Sequence, residues 1–239
     1  MRGVILAGGT GSRLAPLTIN VNKHVLPVGR SPMIAYPLAK LKQAGVERVL
    51  IVTNALGAYQ IAGLYGSGKR LGMELTFKIQ EEAGGIADAL RLAADFVGTE
   101  RFIVLLGDNI FQDDLRPGLA RIAQTPNEAL VYLKAVASPA GYGIADLRDS
   151  RIVGIEEKPA NPKSHYCVTG IYIYDASVFG IIESLVPSTR GELEITDVNN
   201  AYIARGELAY EFLHGWWIDA GTFENLILAG QYVQAQTEI

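Results

Sequence analysis

The residue pattern predicts an α/β fold with a mixed, mostly parallel central sheet and helices on both faces, three layers in all. Short apolar runs alternate with longer stretches of helical spacing, as in successive β-α-β units. The first apolar run passes directly into glycines, and the ends of parallel strands are where open α/β sheets place their ligands. Hydrophobic residues make up 49% of the 239-residue chain and charged residues 19%, so a sizeable core is available.

Residues 3–6 form a short buried strand. Residues 32–44 have helical spacing, with Ile34, Leu38 and Leu41 on one face and Gly45 as a stop. The β-branched run 48–53 is a second strand and 74–79 a third. Residues 86–96 form an alanine-rich helix ending near Gly98, and the strand 102–106 ends at Gly107-Asp108-Asn109. In the second half, 130–135, 152–156 and 168–174 read as strands, and 176–185, 195–204 and 223–236 as helices. No internal repeat or linker interrupts the chain, so residues 1–239 are expected to form a single domain with two sub-lobes.

Composition excludes several classes. The net charge is −4 with no Lys/Arg cluster, which argues against a nucleic-acid partner. Cys167 is the only cysteine, so no intramolecular disulfide can form. With no leader-like or membrane-spanning apolar run either, a cytoplasmic chain is expected. His24, His165 and His214 are scattered, without metal-ligand spacing.

Leu6-Ala7-Gly8-Gly9-Thr10-Gly11-Ser12-Arg13-Leu14 follows the first strand. Glycines let backbone amides approach a bulky anion, and Arg13 adds a charge-assisted contact; an ordinary strand-to-helix turn with a surface arginine is the other reading. The run is not a dinucleotide fingerprint, because Leu14 stands where the third glycine belongs. Residues 63–69 imitate a Walker A loop, but Arg70 replaces the metal-binding hydroxyl and the run lies between a helix and a strand, so it reads as a turn. Asp108, after a buried strand and a glycine, is a metal-ligand candidate or the opening of a turn. Glu157-Lys158-Pro159 is a surface corner or a cation and acceptor for a sugar phosphate. Lys23 and Asp219 carry weight only in combination, and Trp216 and Trp217 read as packing residues, with Trp217 able to abut a pocket.

Taken together, Gly8 to Thr18, the run Lys23-His24-Val25-Leu26-Pro27-Val28, and the segments 106–111, 155–159, 168–172 and 190–197 resemble the sugar-phosphate nucleotidyltransferases, and within them the glucose-1-phosphate thymidylyltransferases most closely. The resemblance covers essentially the whole chain in order. It implies a Rossmann-like three-layer core with a small sugar-binding lobe, residues 1–128 mainly binding nucleotide and 129–239 mainly sugar phosphate. It implies that Leu6, Gly8, Gly9, Thr10, Gly11, Arg13, Lys23 and Asp108 hold the triphosphate and that Gln80 and Gly85 face the base. Asn109, Gly143, Glu157, Lys158, Val168 and Trp217 would line the sugar-phosphate site, and Asp108 and Asp219 would hold Mg2+. Two departures fall in the base pocket: the family more often has prolines before Gly85 and a glutamine where Asp88 stands. Ile218 and Ala220 are milder departures around Asp219.

The implied reaction transfers a nucleotidyl group from dTTP or UTP to α-D-glucose 1-phosphate by in-line displacement, with Arg13, Lys23, Asp108 and Lys158 as the catalytic set. Uridylyl-, guanylyl- and cytidylyltransferases of the same fold are the alternatives, and a silent nucleotide-sugar-binding subunit is a further one. A homo-oligomer is expected, a tetramer before a dimer. Longer family members continue past the helix at 223–236 to build a second nucleotide-sugar site. A chain stopping at Ile239 is expected to show only weak inhibition by end-product, competitive with nucleotide.

Overall fold

Five consecutive buried residues make β1 (Arg2–Ala7) the natural centre of a sheet. The computed structural model, which describes residues 1–125 and 128–237, places it there. The expectation drawn from the end at Ile239 lies outside the described residues.

After β1 the chain makes a small hairpin of β2 (Pro27–Val28) and β3 (Ser31–Pro32), then α1 (Ala35–Gln43) and β4 (Arg48–Thr53). Next come α2 (Ala55–Tyr65), β5 (Glu74–Ile79), α3 (Ile86–Arg91), α4 (Ala94–Val97) and β6 (Phe102–Leu106). The middle contributes β7 (Asn109–Phe111), α5 (Arg116–Ile122), β8 (Ala129–Ala135), β9 (Gly143–Arg148) and β10 (Arg151–Glu157). The last third holds β11 (Tyr166–Tyr174), α6 (Ser177–Glu183), α7 (Ile195–Ala204), β12 (Leu208–Phe212), β13 (Trp217–Asp219) and α8 (Phe223–Thr237).

The main sheet has nine strands, ordered β10-β9-β11-β6-β1-β4-β5, with β8 beside β11 and β12 beside β8. β1 pairs in parallel with both β4 and β6, and β4 with β5. β11 runs against β6, β8 and β9, and β10 runs against β9. Only β10 and β11 therefore oppose the common direction, which is the mixed, mostly parallel sheet read from the sequence. The strand period of two divides the core cleanly. Val4, Leu6, Leu50, Val52 and Val104 face one cluster with α3, α6 and α7; Ile5, Ala7, Val49, Ile51, Ile103 and Leu105 face the other with α1 and α5.

One edge of β11 is shared. β6 pairs with its residues 171–174 and β9 meets Cys167, so residues 168–170 lie where β6 has ended and β9 has not begun. Such a fork at the carboxyl end of a parallel strand leaves a crevice for a ligand.

The sequence reading missed β9, β12 and the short β7 and β13. The helix expected over 32–44 starts at Ala35, because Ser31–Pro32 pairs with Pro27–Val28. The helix expected over 86–96 is broken between α3 and α4, where Leu92 and Ala93 donate to carbonyls three residues back. The glycine–lysine run at 63–69 does end a helix and turn into β5.

Asn22 staples the loop after the glycines onto the sheet. Its side-chain oxygen accepts the His24 N–H at 2.9 Å, and its amide nitrogen reaches Asn54 Oδ1 at 3.3 Å and Thr53 Oγ1 at 3.4 Å. Asn22 is 3% exposed, so truncation strands several polar groups away from water. Asn22→Ala is expected to lower the unfolding free energy by about 2 kcal/mol, read as a fall in the urea midpoint. An unchanged midpoint would show that the loop is held by other contacts.

Candidate active site

The glycine loop starts where β1 ends. Gly11 has φ +65, and a Cβ there would lie 2.9 Å from the Thr18 methyl, so only glycine suits the turn. Its carbonyl accepts from Leu14 N–H and Thr18 Oγ1, both at 2.8 Å, which closes the loop and carries Arg13 toward the cleft. The Asn22 staple then places Lys23 beside Asp108, and the two form an ion pair. His24 is buried next to them and donates from Nδ1 to Asn22 Oδ1 at 2.9 Å. Burial first, and Lys23 second, lower its pKa to about 3, so it is neutral.

Asp108 and Asp219 are far apart in sequence and are joined by a ribbon separate from the main sheet. β13 pairs antiparallel with β7 in the register Asp219↔Asn109, and the Ala220 N–H donates to the Asp108 carbonyl at 2.9 Å. Asp113 secures the same ribbon by accepting from the His214 and Gly215 N–H groups, both at 2.8 Å. Lys134 Nζ donates to the Gly215 carbonyl at 2.6 Å. Asn109 is fully engaged: its oxygen accepts from Gly170 N–H at 2.8 Å and Trp217 Nε1 at 2.7 Å. Trp217 therefore offers the cleft a ring and no free donor, with Tyr142 edge-on at 5.5 Å.

The two carboxylates have opposite electrostatic fates. Burial works against charge on Asp108, but Lys23 and the hydrogen bonds from Lys23 and Asn109 hold its carboxyl below the usual range. Burial and the neighbouring Asp108 push Asp219 up to about 6. Arg13 is close to Asp219: a Cβ on Gly221 would meet Arg13 Nη2 at 2.8 Å and Asp219 Oδ1 at 2.9 Å. Two repelling oxygen donors, buried Asp108 and half-buried Asp219, suit a hard divalent cation, which would relieve the repulsion. Among the described residues no group of three or more His, Cys, Asp or Glu side chains could enclose a metal. A divalent ion held by these two carboxylates would need further oxygen ligands from outside the protein side chains.

Lys158 and Glu157 stand across the cleft. Lys158 has φ +44, a strained conformation for a non-glycine residue, and its N–H is tied to the Tyr142 carbonyl at 3.0 Å. Glu157 accepts from Thr196 Oγ1 at 2.6 Å and pairs with Lys158 Nζ at 3.2 Å and Arg190 at 3.5 Å. Between the two walls lies a cleft of about 690 Å³.

Of the residues named from the sequence, all line this cleft except Thr10 and Gly11. Thr10 is exposed, and Gly11 shapes the turn behind it. The sequence reading assigned no role to Arg190, Thr196 or Tyr142, which also line it. The first two sat inside the recognised run 190–197, so a signal was present; Tyr142 had none.

The nucleotidyl transferase family profile matches residues 2–236, and the chain belongs to that family. It is 43% identical, over its whole length and 80% of the relative's, to the glucose-1-phosphate thymidylyltransferase of Actinoplanes sp.. It is 42% identical over 98% of its length, and 82% of the relative's, to the enzyme of that name from Mycolicibacterium smegmatis. A Bacillus anthracis protein provisionally assigned as a glucose-1-phosphate thymidylyltransferase and crystallised with sucrose superimposes with a TM-score of 0.95. It shares 49% identity, over 98% of this chain and 95% of that one. A UDP-glucose pyrophosphorylase at 23% identity shares the fold with a TM-score of 0.86.

Cys167 lies on β11 beside the cleft-lining Val168 and is fully buried. Burial pushes its thiol up to about 12. It is expected to resist thiol reagents at pH 8 and to label only on unfolding, which a colorimetric thiol count with and without denaturant checks. Stoichiometric labelling of the native protein would contradict that placement.

Proposed function

We propose that the chain transfers a thymidylyl group from dTTP to α-D-glucose 1-phosphate, giving dTDP-glucose and pyrophosphate, with UTP as the competing donor. The observation that carries this reading is a single cleft with cations on both walls and two carboxylates between them, buried Asp108 and half-buried Asp219. Arg13 and Lys23 stand beside a glycine loop on one side, with Lys158 and Arg190 on the other. Such a site suits two phosphate-bearing substrates. The relatives' names supply the base and the sugar.

In this reading residues 1–128 mainly hold the triphosphate and residues 129–239 mainly hold the sugar phosphate. A glucose 1-phosphate oxygen attacks the α-phosphorus, the new P–O bond forms in line, and the α–β bridging bond breaks with its electrons leaving on pyrophosphate. The nucleophile is already anionic near neutral pH, so no general base is required. The protein's work is positioning and charge neutralisation. The Gly8–Gly9 amides and Arg13 hold the triphosphate, and Arg13 neutralises charge on the leaving pyrophosphate. Lys23 changes partner from Asp108 to phosphate. Lys158 orients the attacking phosphate, and Glu157, braced by Thr196, accepts from sugar hydroxyls. Asp108 and Asp219 would hold Mg2+, which neutralises phosphate charge when bound. The chain is proposed to work in the cytoplasm as a homo-oligomer, a tetramer before a dimer, without nucleic acid or membrane. No helix among the described residues is long and apolar enough to cross a membrane.

The direct test is pyrophosphate release from dTTP, UTP, CTP and GTP against several sugar 1-phosphates. Turnover with dTTP and glucose 1-phosphate is expected to lead, and none above background with that pair would overturn the reading. Asp108→Asn is expected to fold normally and lose at least about 100-fold in kcat; chelator is expected to abolish wild-type turnover, and full activity in excess chelator would refute the metal assignment. The two walls are expected to separate kinetically. Lys158→Ala should raise the KM for glucose 1-phosphate roughly tenfold or more by removing a charge-assisted hydrogen bond, while Arg13→Ala mainly lowers kcat. Equal effects of both variants on both substrates would undo the division.

A further inference from the structure

We propose that Asp88 is a positioning residue for base selection: it fixes the Gln80 side-chain amide with its oxygen toward the cleft, so that the pocket takes a pyrimidine with a ring N–H and rejects cytosine. This rests on the nucleotide reading above and adds which feature of the base is read.

The two ends of a glutamine amide are similar in size, and only their hydrogen-bond partners decide which way the group is seated. Gln80 Nε2 faces two oxygens, Asp88 Oδ2 at 2.9 Å and the Gly85 carbonyl at 3.4 Å. Neither the carboxylate nor the carbonyl has a proton to give. Turning the amide over would set its oxygen against both and leave that oxygen and Asp88 Oδ2 unpaired with each other, while the Gly85 carbonyl would keep only the Ala89 N–H at 3.1 Å. Asp88 is itself held: Arg91 Nη2 donates to its other oxygen at 2.7 Å, and the Asp88 side chain is only 19% exposed.

With Nε2 committed, the amide oxygen is turned toward the glycine loop. A Cβ on Gly8 would lie 2.7 Å from Gln80 Oε1, so the absence of a side chain at Gly8 leaves that oxygen room. Gly8, Gln80 and Gly85 all line the cleft. Among the described residues no protein group donates to Gln80 Oε1 and none accepts the Gly85 N–H. The wall thus presents a fixed acceptor near a free donor. Thymine and uracil carry a ring N–H beside a carbonyl, the complement of that pair. Cytosine carries a bare ring nitrogen beside an amino group, which sets acceptor against acceptor and donor against donor. A site built around such a hydrogen bond discriminates far more strongly than one that senses only shape.

The test uses the full chain. Equilibrium binding of dTTP and dCTP by calorimetry reads the base pocket without glucose 1-phosphate, and steady-state kinetics with glucose 1-phosphate follow separately. Wild type is expected to prefer dTTP by roughly 10³-fold or more. Asp88→Asn is nearly isosteric, and its amide can accept or donate, so the preference is expected to fall at least roughly tenfold. The KM for glucose 1-phosphate and the thermal midpoint should not change. If Asp88 acts through Gln80, Asp88→Asn has no further effect on the preference in a Gln80→Ala background. A preference unchanged by Asp88→Asn, equal affinities in wild type, or the same loss in both backgrounds would overturn the proposal. A lock that holds in binding while dTTP and glucose 1-phosphate give no turnover would instead overturn the proposed reaction and leave the lock standing.

Discussion

Two neighbouring carboxylates, buried Asp108 and half-buried Asp219, repel each other, and most of the cleft is organised around that repulsion. Asp108 keeps its charge because Lys23 and Asn109 compensate for lost water, whereas Asp219, facing Asp108, is driven toward its neutral form. The arrangement persists because separate parts of the fold impose it. The ribbon of β7 and β13 fixes Asp219 opposite Asn109, Asp113 and Lys134 secure the approach to that ribbon, and Asn22 seats Lys23. Brought close together in the cleft, the pair has an affinity for positive charge. The same affinity can assemble two anionic reactants once cations intervene.

In the proposed reaction the remainder of the site keeps each reactant on its own wall. The glycine loop and Arg13 grow from β1, the strand at the centre of the parallel half. Lys158 and Glu157 come from the end of β10, across the fork in which residues 168–170 of β11 lie. In that reading cations on both walls offset the mutual repulsion of the substrates, and Lys158 lines the cleft from a strained backbone with φ +44. No activated nucleophile is needed. Cys167 is buried with its thiol pushed up to about 12, and neutral His24 serves as packing against the loop.

Much of this was legible in the sequence, and the exceptions have physical reasons. Strands buried on both faces, such as Arg48–Thr53 and Phe102–Leu106, read as continuous apolar runs and were found with their boundaries. Gly143–Arg148 and Leu208–Phe212 mix buried with half-buried positions and carry charges, so no run marked them. The three-residue β7 and β13 are below the length at which periodicity shows, although they decide where Asp219 lies. Most of the cleft-lining charges were found because they sit in ordered motifs, whereas Arg190, inside one of those motifs, was given no role. What the motifs could not show is which of their atoms are already spent. Trp217 and Asn109 bond each other, and Gln80 is turned by Asp88, a residue that stood out only as a departure.

The central claim is that the two substrates react directly, with the protein supplying charge and alignment and no covalent intermediate. Turnover of a single diastereomer of dTTP sulfur-substituted at the α-phosphorus, with glucose 1-phosphate, tests it through the configuration of the product. One in-line displacement inverts that centre, and inversion is the expected result. Net retention would mean two displacements through a group on the protein and would contradict the account.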